Sequence, residues 1–400
     1  MSPEALISVA EHRSTILASL QRMEAVELLL DQCVGAALAA EVKARVPVPT
    51  FTNSSMDGYA VRSADVAQAP VRLTVTGDIP AGRPSSVVLS RGTAQRIMTG
   101  APLPTGADAV VRVEWTDGGT AEVLIERPAP VGQDVRKVGE DVPEGAIIAG
   151  LGASVTAGLI GASAAVGVDR LTVHRRPRVV IASTGDELVT SGTVLGAGMI
   201  YESNSRMLAP MVRQAGAEVV EVTTLTDNVD EAVENLLAWT SRSDVIVTTG
   251  GVSAGAFEVV KQAFERIGSV RFVKVAVQPG KPQGFGSLAA TPVIALPGNP
   301  VSAFVSFELF VRPALRYLGG HKVIDRPTAV MVLTESLRRS PERHRYVPAR
   351  ADLSTGTVTP SGRQGSHMVT ALADTNALIG VPAGSDVVAA GSVCEVLLLL

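Results

Sequence analysis

"DVIVTTGGVSAG", residues 244–255, decides the fold. Val245, Ile246 and Val247 form a continuous apolar run, and two threonines lead straight into Gly250-Gly251. A short β-branched run without polar alternation predicts a strand buried on both faces. "RVVIASTGDELV" (178–189), "AEVVEVTTL" (217–225) and "TPVIALPG" (291–298) repeat the form. Helical patterns separate these runs at 205–214, 229–240 and 257–267, and another follows at 301–318 before Gly319-Gly320. Buried strands alternating with helices predict a parallel sheet covered on both sides. Pro210, inside the first helical pattern, predicts a kink or a first turn there.

The texture differs on either side of this segment. Residues 3–20 carry a helical apolar period, and Asp31 is placed to cap a second helix through Ala39. Pro47 and Pro49 stop it, and short strands with Gly/Pro turns follow to about residue 148. Residues 149–175 are rich in Gly, Ala and Val and are expected to pack back on the first helices. From Val323 the alternation is again β, through "AVMVLTES", "RYVPARADL", "TVTP", "ALIGVP" and "CEVLLLL". The expected architecture is multidomain α/β plus β. It comprises a discontinuous, mostly helical N-terminal domain (1–45 and 149–175) and a β-rich module (46–148). A central parallel α/β domain (176–322) and a C-terminal β-barrel-like domain (323–400) complete it.

The formal net charge of −4 argues against broad binding to nucleic acid or to an anionic membrane surface. No apolar run approaches the ~20 residues of a membrane span, and the N-terminus lacks the basic and apolar regions of a signal peptide. Cys33 and Cys394 lie beside apolar residues and read as buried free thiols, and the five histidines show no ligand spacing. A cytoplasmic, reduced protein is expected.

Chemistry concentrates where strands end. "IASTGDELV" puts Gly185, Asp186 and Glu187 after one strand; "VIVTTGGVSAG" puts Thr249, Gly250, Gly251 and Ser253 after another. "IALPGNPVSA" puts Pro297, Asn299, Pro300 and Ser302 between a third strand and a helix. Ligands of open α/β sheets bind beyond the carboxyl ends of strands, and a helix N-terminus favours an anion. One Gly-Gly alone is a tight turn; three such loops at equivalent ends predict an anionic-ligand site. Neither a Walker A lysine motif nor G-x-G-x-x-G occurs, which disfavours an ordinary NTPase or dinucleotide site. In "VQPGKPQGFG", Lys281, set before Pro282, reads either as an oxyanion contact or as a solvated lysine. Asp57, Asp141, Asp186, Glu187, Asp227 and Glu258 read as surface acids unless they converge beside phosphates. There they would need a divalent cation, and Mg²⁺ suits oxygen ligands. "NSSMDGYA" (53–60) is open in the same way: it has the composition of a turn and the groups of a site.

"NSSMDGYAVR", "RIMTGAPLPTGADAVV", "GEDV", "STGDELV", "ESNS", "DVIVTTGGVSAG", "QPGKPQGFG" and "LPGNPVSAFVSFELFVRPAL" follow one another in this order. In this the chain resembles the MoeA family of molybdopterin molybdenumtransferases, which includes the E domain of gephyrin. The resemblance implies insertion of molybdate into adenylylated molybdopterin, with release of AMP and dependence on Mg²⁺. It implies an elongated homodimer in which the α/β domain binds the pterin nucleotide and the partner's β-module closes the cleft. Transient contact with a molybdopterin adenylyltransferase and with apo-molybdoenzymes is implied as well. Matched motif by motif, Asp57, Thr99, Asp141, Glu187, Asp227 and Glu258 correspond to cleft residues, with Asp227 and Glu258 as expected Mg²⁺ ligands. Lys281, Ser302, Arg345 and Ser366 correspond to molybdate or phosphate contacts. Two positions depart from the family: Glu258 stands where Asp is usual, and Gln278 where many members have Lys. A diverged non-catalytic scaffold, a molybdopterin adenylyltransferase and a pyrophosphate hydrolase are the rival readings.

Overall fold

The structure, a computed structural model, describes residues 6–226, 228–251, 259–267 and 270–399. Its centre is a six-stranded sheet in the order Glu218–Leu225, Arg178–Thr184, Val245–Thr249, Thr291–Leu296, Pro282–Leu288, Arg271–Lys274. The first four strands pair in parallel, and Pro282–Leu288 pairs antiparallel with both of its neighbours. The apolar runs occupy the middle: Val179 to Ala182 and Val245 to Val247 are fully buried. Glu218–Leu225 alternates exposed and half-buried residues, as an edge strand with one solvated face does. The antiparallel extension comes from a two-residue hairpin, Ala289-Ala290, closing the Leu288↔Thr291 pair.

Helices Asn204–Gln214, Val229–Trp239 and Val259–Ile267 cover the sheet. Asn228 caps the second, its side chain accepting from the backbone N–H of Asp230 at 2.9 Å. The first helix runs through Pro210, because Leu208, Ala209, Met211 and Val212 bury its face on either side of the proline. The long apolar pattern near 301–318 forms Pro300–Ser306, a π-helical turn Phe307–Val311 and Arg312–Leu318 in unbroken succession. The widened turn precedes Pro313, whose ring would otherwise meet the carbonyl four residues back. Inside that turn the buried Glu308 accepts from Arg326 Nε at 2.9 Å and Nη2 at 3.0 Å. This ties the entry to the C-terminal domain against the helix.

Around this centre sit the other parts. The N-terminal helix is Val9–Ala18, and Ala25–Leu29 pairs antiparallel with Arg170–His174. The second helix expected from Asp31 is instead a single 3-10 turn, Leu30–Gln32. Beyond it, Gly35 takes φ +79° and Ala37 and Leu38 bridge to Ser154 and Val173, so core pairing overrides helix propensity. The only other helix of this part among the described residues is Ala157–Ala165, capped by Thr156. Arg175 clips the returning chain to the sheet, bonding Asp244 at 2.7 and 3.0 Å and pairing with Glu24.

The inserted module holds a five-stranded sheet in the order Ala109–Arg112, Gly58–Val61, Thr93–Ile97, Val71–Ile79, Glu122–Ile125. The C-terminal strands Thr328–Leu333, His344–Asp352, Thr357–Pro360, Ala377–Val381 and Val393–Leu398 close into a five-stranded barrel. A two-residue parallel ladder, Val277↔His344 and Gln278↔Arg345, joins that barrel to the central domain. Cys33 is buried as expected, whereas Cys394 is half-buried on the barrel. Among the described residues no helix is long and apolar enough to cross a membrane.

Candidate active site

In the central sheet, the chain runs from Arg178–Thr184 to one neighbour, Glu218–Leu225, and then crosses to the other, Val245–Thr249. That reversal opens a crevice between the carboxyl ends of Arg178–Thr184 and Val245–Thr249. A cavity of about 1150 Å³ lies there. Its walls come from the loops after three strands, from the Gln278–Pro282 segment and from the C-terminal barrel.

Of the residues expected from sequence, Glu187, Thr249, Gly250, Gly251, Lys281, Pro282, Pro297, Asn299, Pro300, Ser302, Arg345 and Ser366 all line this cavity. Asp186 is exposed and is not part of the lining. Asp227, Ser253 and Glu258 lie outside the described residues. Asp57 and Thr99 are brought together elsewhere, on the inserted module. Asp57 accepts from the Thr99 backbone N–H at 2.7 Å and from its hydroxyl at 2.9 Å. These two bonds hold the Asp57 carboxyl below the usual carboxylate range. Asp141 flanks a separate shallow groove with Arg136 and Glu140.

The stretch "NSSMDGYA" is therefore a turn that serves a carboxylate. Ser54 and Met56 close the turn, the Ser54 hydroxyl donating to the Met56 carbonyl at 2.5 Å. Tyr59 is core, fully buried, with its hydroxyl on the Gly119 carbonyl at 3.0 Å. Gly58 lets two strands meet: a Cβ there would stand 1.9 Å from the Val111 carbonyl oxygen. Asp57 is left exposed at the strand entrance.

The crevice loops are fixed to one another by side chains. Gly250 sits at φ +92°, where a Cβ would fall 2.6 Å from Thr184 Oγ1. Thr249 Oγ1 donates to the Pro297 carbonyl at 3.1 Å. Asn204 Nδ2 reaches both Thr249 Oγ1, at 3.0 Å, and the Gly298 carbonyl, at 2.7 Å. Glu202 is buried and satisfied, accepting from Ser183 Oγ at 2.7 Å and from the N–H and Oγ of Ser205 at 2.8 and 2.6 Å. The barrel is held to the Pro300 helix start through Asn299 Nδ2 on Ser366 Oγ, 3.0 Å, and Val301 N–H on the Ser366 carbonyl, 3.0 Å.

Lys281, Arg343, Arg345 and Arg363 give the lining its charge, and none pairs with a carboxylate among the described residues. Arg345 donates to the Arg338 carbonyl and, at 2.7 Å, to Gln364 Oε1; burial pulls its pKa down. Glu187 and Glu202 are the acids of the described lining, and Glu202 is already engaged. A cavity with four cations that have no carboxylate partner among the described residues, Gly-rich loops and a helix N-terminus favours an anionic ligand carrying phosphate-like groups. Arg343, Arg363 and His367 were not anticipated from sequence; they reach the cavity by barrel docking, which leaves no local pattern. Asn204 and Glu202 lay within the quoted "ESNS" without being assigned a role.

The fold and the site together define an α/β protein with a cation-lined crevice at its sheet's switch point, a β-module inserted in its N-terminal part and a barrel appended at its C-terminus. Residues 7–167 match the MoeA N-terminal region (domain I and II), 180–317 a probable molybdopterin binding domain, and 330–399 the MoeA C-terminal region (domain IV). The chain belongs to the MoeA family. Molybdopterin molybdenumtransferase 2 of Mycobacterium tuberculosis (strain ATCC 25618 / H37Rv) is 45% identical over 399 residues, covering 97% of this chain and 98% of that protein. Molybdopterin molybdenumtransferase of Haemophilus influenzae is 34% identical, covering 94% of each. The crystal structure of the molybdopterin biosynthesis MoeA protein from Pyrococcus horikoshii OT3 aligns with a TM-score of 0.85 at 26% identity, covering 98% of this chain and 100% of that one.

Proposed function

We propose that this chain is an enzyme of molybdenum cofactor biosynthesis, a molybdopterin molybdenumtransferase that inserts molybdate into adenylylated molybdopterin and releases AMP. One observation carries the reading. Three strand-end loops and four cations without acidic partners among the described residues converge on one cavity, in a chain related along its length to proteins of that name. Molybdate is a dianion and the second substrate carries a pyrophosphate. Holding them together takes cations and N–H donors fixed before the reaction. Lys281, Ser302, Arg345 and Ser366 are assigned to molybdate, and the Thr249–Gly251 loop to the nucleotide end. The dithiolene sulfurs then replace oxygens of molybdate, which leave as water with the thiol protons, and attack of water on the phosphoanhydride bond separates AMP from the molybdopterin phosphate.

Mg²⁺ belongs to the proposal. Mg²⁺ takes one or two carboxylates and completes its shell with water and substrate phosphate. Glu187, a carboxylate on the cavity wall, fits that requirement, although the described residues gather no cluster of three potential ligands. The cation would offset the charge of the pyrophosphate; Asp227 and Glu258 stay proposed as further ligands. A homodimer is also proposed. Asp57 and Thr99, absent from the lining of their own chain's cavity, would serve that of a second copy. The adenylyltransferase that supplies the substrate and the apo-molybdoenzymes that take the product are proposed transient partners, and a cytoplasmic setting follows from them.

The test is AMP release and cofactor formation from adenylylated molybdopterin and Mg²⁺, with and without molybdate. Molybdate-dependent release with active cofactor is expected. Release without molybdate would make the chain a pyrophosphate hydrolase, and binding without turnover would make it a scaffold.

A further inference from the structure

A short ribbon rises from the cavity rim directly after Glu187. Leu188–Val189 pairs in parallel with Ile200–Tyr201. Both ends are pinned: the Ile200 N–H donates to the Glu187 carbonyl at 2.9 Å, and the Glu202 N–H to the Val189 carbonyl at 2.8 Å. The carboxylate of Glu202 is locked in turn by Ser183 and Ser205. Between these anchors Ile200 is 53% exposed and Tyr201 43% exposed, and both line the cavity. The tyrosine ring is not free to swing, because its hydroxyl donates to the Thr193 carbonyl at 2.7 Å. An aromatic face left partly in water yet fixed in direction is the form that base-stacking surfaces take.

Its place in the sheet says which part of a ligand it meets. The ribbon follows Arg178–Thr184, whereas Lys281 precedes Pro282–Leu288, three strands farther along. Strands lie about 4.8 Å apart, so the two strand ends from which they depart are roughly 14 Å from each other across the cavity. Cations collect at the Lys281 side with Arg345, and Gly250-Gly251 lies between the two ends. A ligand with an anion held at one end, phosphates in the middle and an aromatic ring at the other spans that distance.

We propose that Tyr201 is the stacking platform for the purine base of the nucleotide substrate, with Ile200 extending the apolar shelf. This deepens the function proposed above and rests on it for the identity of the nucleotide. The platform gives affinity for the base without hydrogen-bond readout. It therefore sets how strongly a nucleotide is preferred over the same sugar phosphate lacking its base.

Calorimetric titration of the full chain with AMP and with ribose 5-phosphate tests the assignment, in the wild type, Tyr201→Ala and Tyr201→Phe. The wild type should bind AMP more tightly than ribose 5-phosphate. Tyr201→Ala should weaken AMP about tenfold and change ribose 5-phosphate less than about twofold. Tyr201→Phe keeps the ring, loses the Thr193 bond and should weaken AMP by no more than about threefold. Equal wild-type affinities for the two ligands, or no AMP binding, would overturn the proposal. So would unchanged AMP affinity in Tyr201→Ala, or parallel loss of both ligands. These binding results do not depend on turnover. Failure of the transferase reading would show instead as absent molybdate-dependent AMP release, whatever Tyr201 does.

Discussion

Asn204 and Gly298, 94 residues apart in the chain, are joined by a 2.7 Å hydrogen bond from the side-chain amide of one to the carbonyl of the other. The same nitrogen holds Thr249 Oγ1 at 3.0 Å, so one side chain sets the spacing of two strand-end loops. Asn204→Ala should lower kcat/KM about tenfold or more, since small misplacements at a positioned site are costly. Asn204→Asp should do no better, because a carboxylate cannot donate to the Gly298 carbonyl. Steady-state kinetics of both variants, with melting curves to show that they are folded, check this.

Asp57 is exposed and held by two bonds from Thr99, so it contributes little to the core. Asp57→Asn is expected to cut molybdate-dependent turnover at least about tenfold while moving Tm by less than about 2 °C. Wild-type turnover in that variant would remove Asp57 from the mechanism.

Gln278 lines the cavity and pairs with Arg345 across the ladder that attaches the barrel. A lysine in its place would add a cation next to an existing one, at the site proposed to hold the molybdate dianion. Gln278→Lys should lower the half-saturating molybdate concentration about fivefold, the equivalent of roughly 1 kcal/mol. Turnover measured against molybdate concentration reads this directly.

The strand-end loops were legible in the sequence because a buried parallel strand is an unbroken apolar run and glycines mark its end. The four cations of the lining were half legible. Lys281 sits in a Pro/Gly-marked loop and Arg345 carries a family match, whereas Arg343 and Arg363 arrive from another domain. The antiparallel edge of the sheet was not legible. Ala289 and Ala290 adopt φ +43° and +73°, the left-handed pair of a tight hairpin, with neither Asn nor Gly to announce it. Alanine costs roughly 1 kcal/mol or more per residue in that region. Replacing the pair with Asn-Gly should therefore raise stability by about 1–2 kcal/mol, measured by denaturant unfolding.

Asp244 joins the N-terminal part to the sheet through Arg175 and Arg178. Burial pushes its carboxyl up, but bonds from both arginines outweigh this and bring it to about 2, from 3.8 when free. A carboxyl depressed in the folded state stabilises fully above its unfolded value and loses that stabilisation as pH falls. The contribution, about 2 kcal/mol, should be complete above pH 3.8 and disappear as pH falls toward about 2. Asp244→Asn should lower stability at neutral pH and flatten the acid limb of the unfolding curve.

His174 Nδ1 lies 2.6 Å from the Met23 carbonyl oxygen, 151 positions earlier in the chain. On the ribosome, Ala25–Leu29 emerges long before the strand that will pair with it. The β-module threaded between them can organise its own sheet in that interval, as domains fold while the chain is still growing. Its two ends then meet when Arg170–His174 docks. Synthesis order thus lets the module's own sheet form before its host closes around it, so that the closure joins the ends of a segment already folded rather than of a free loop.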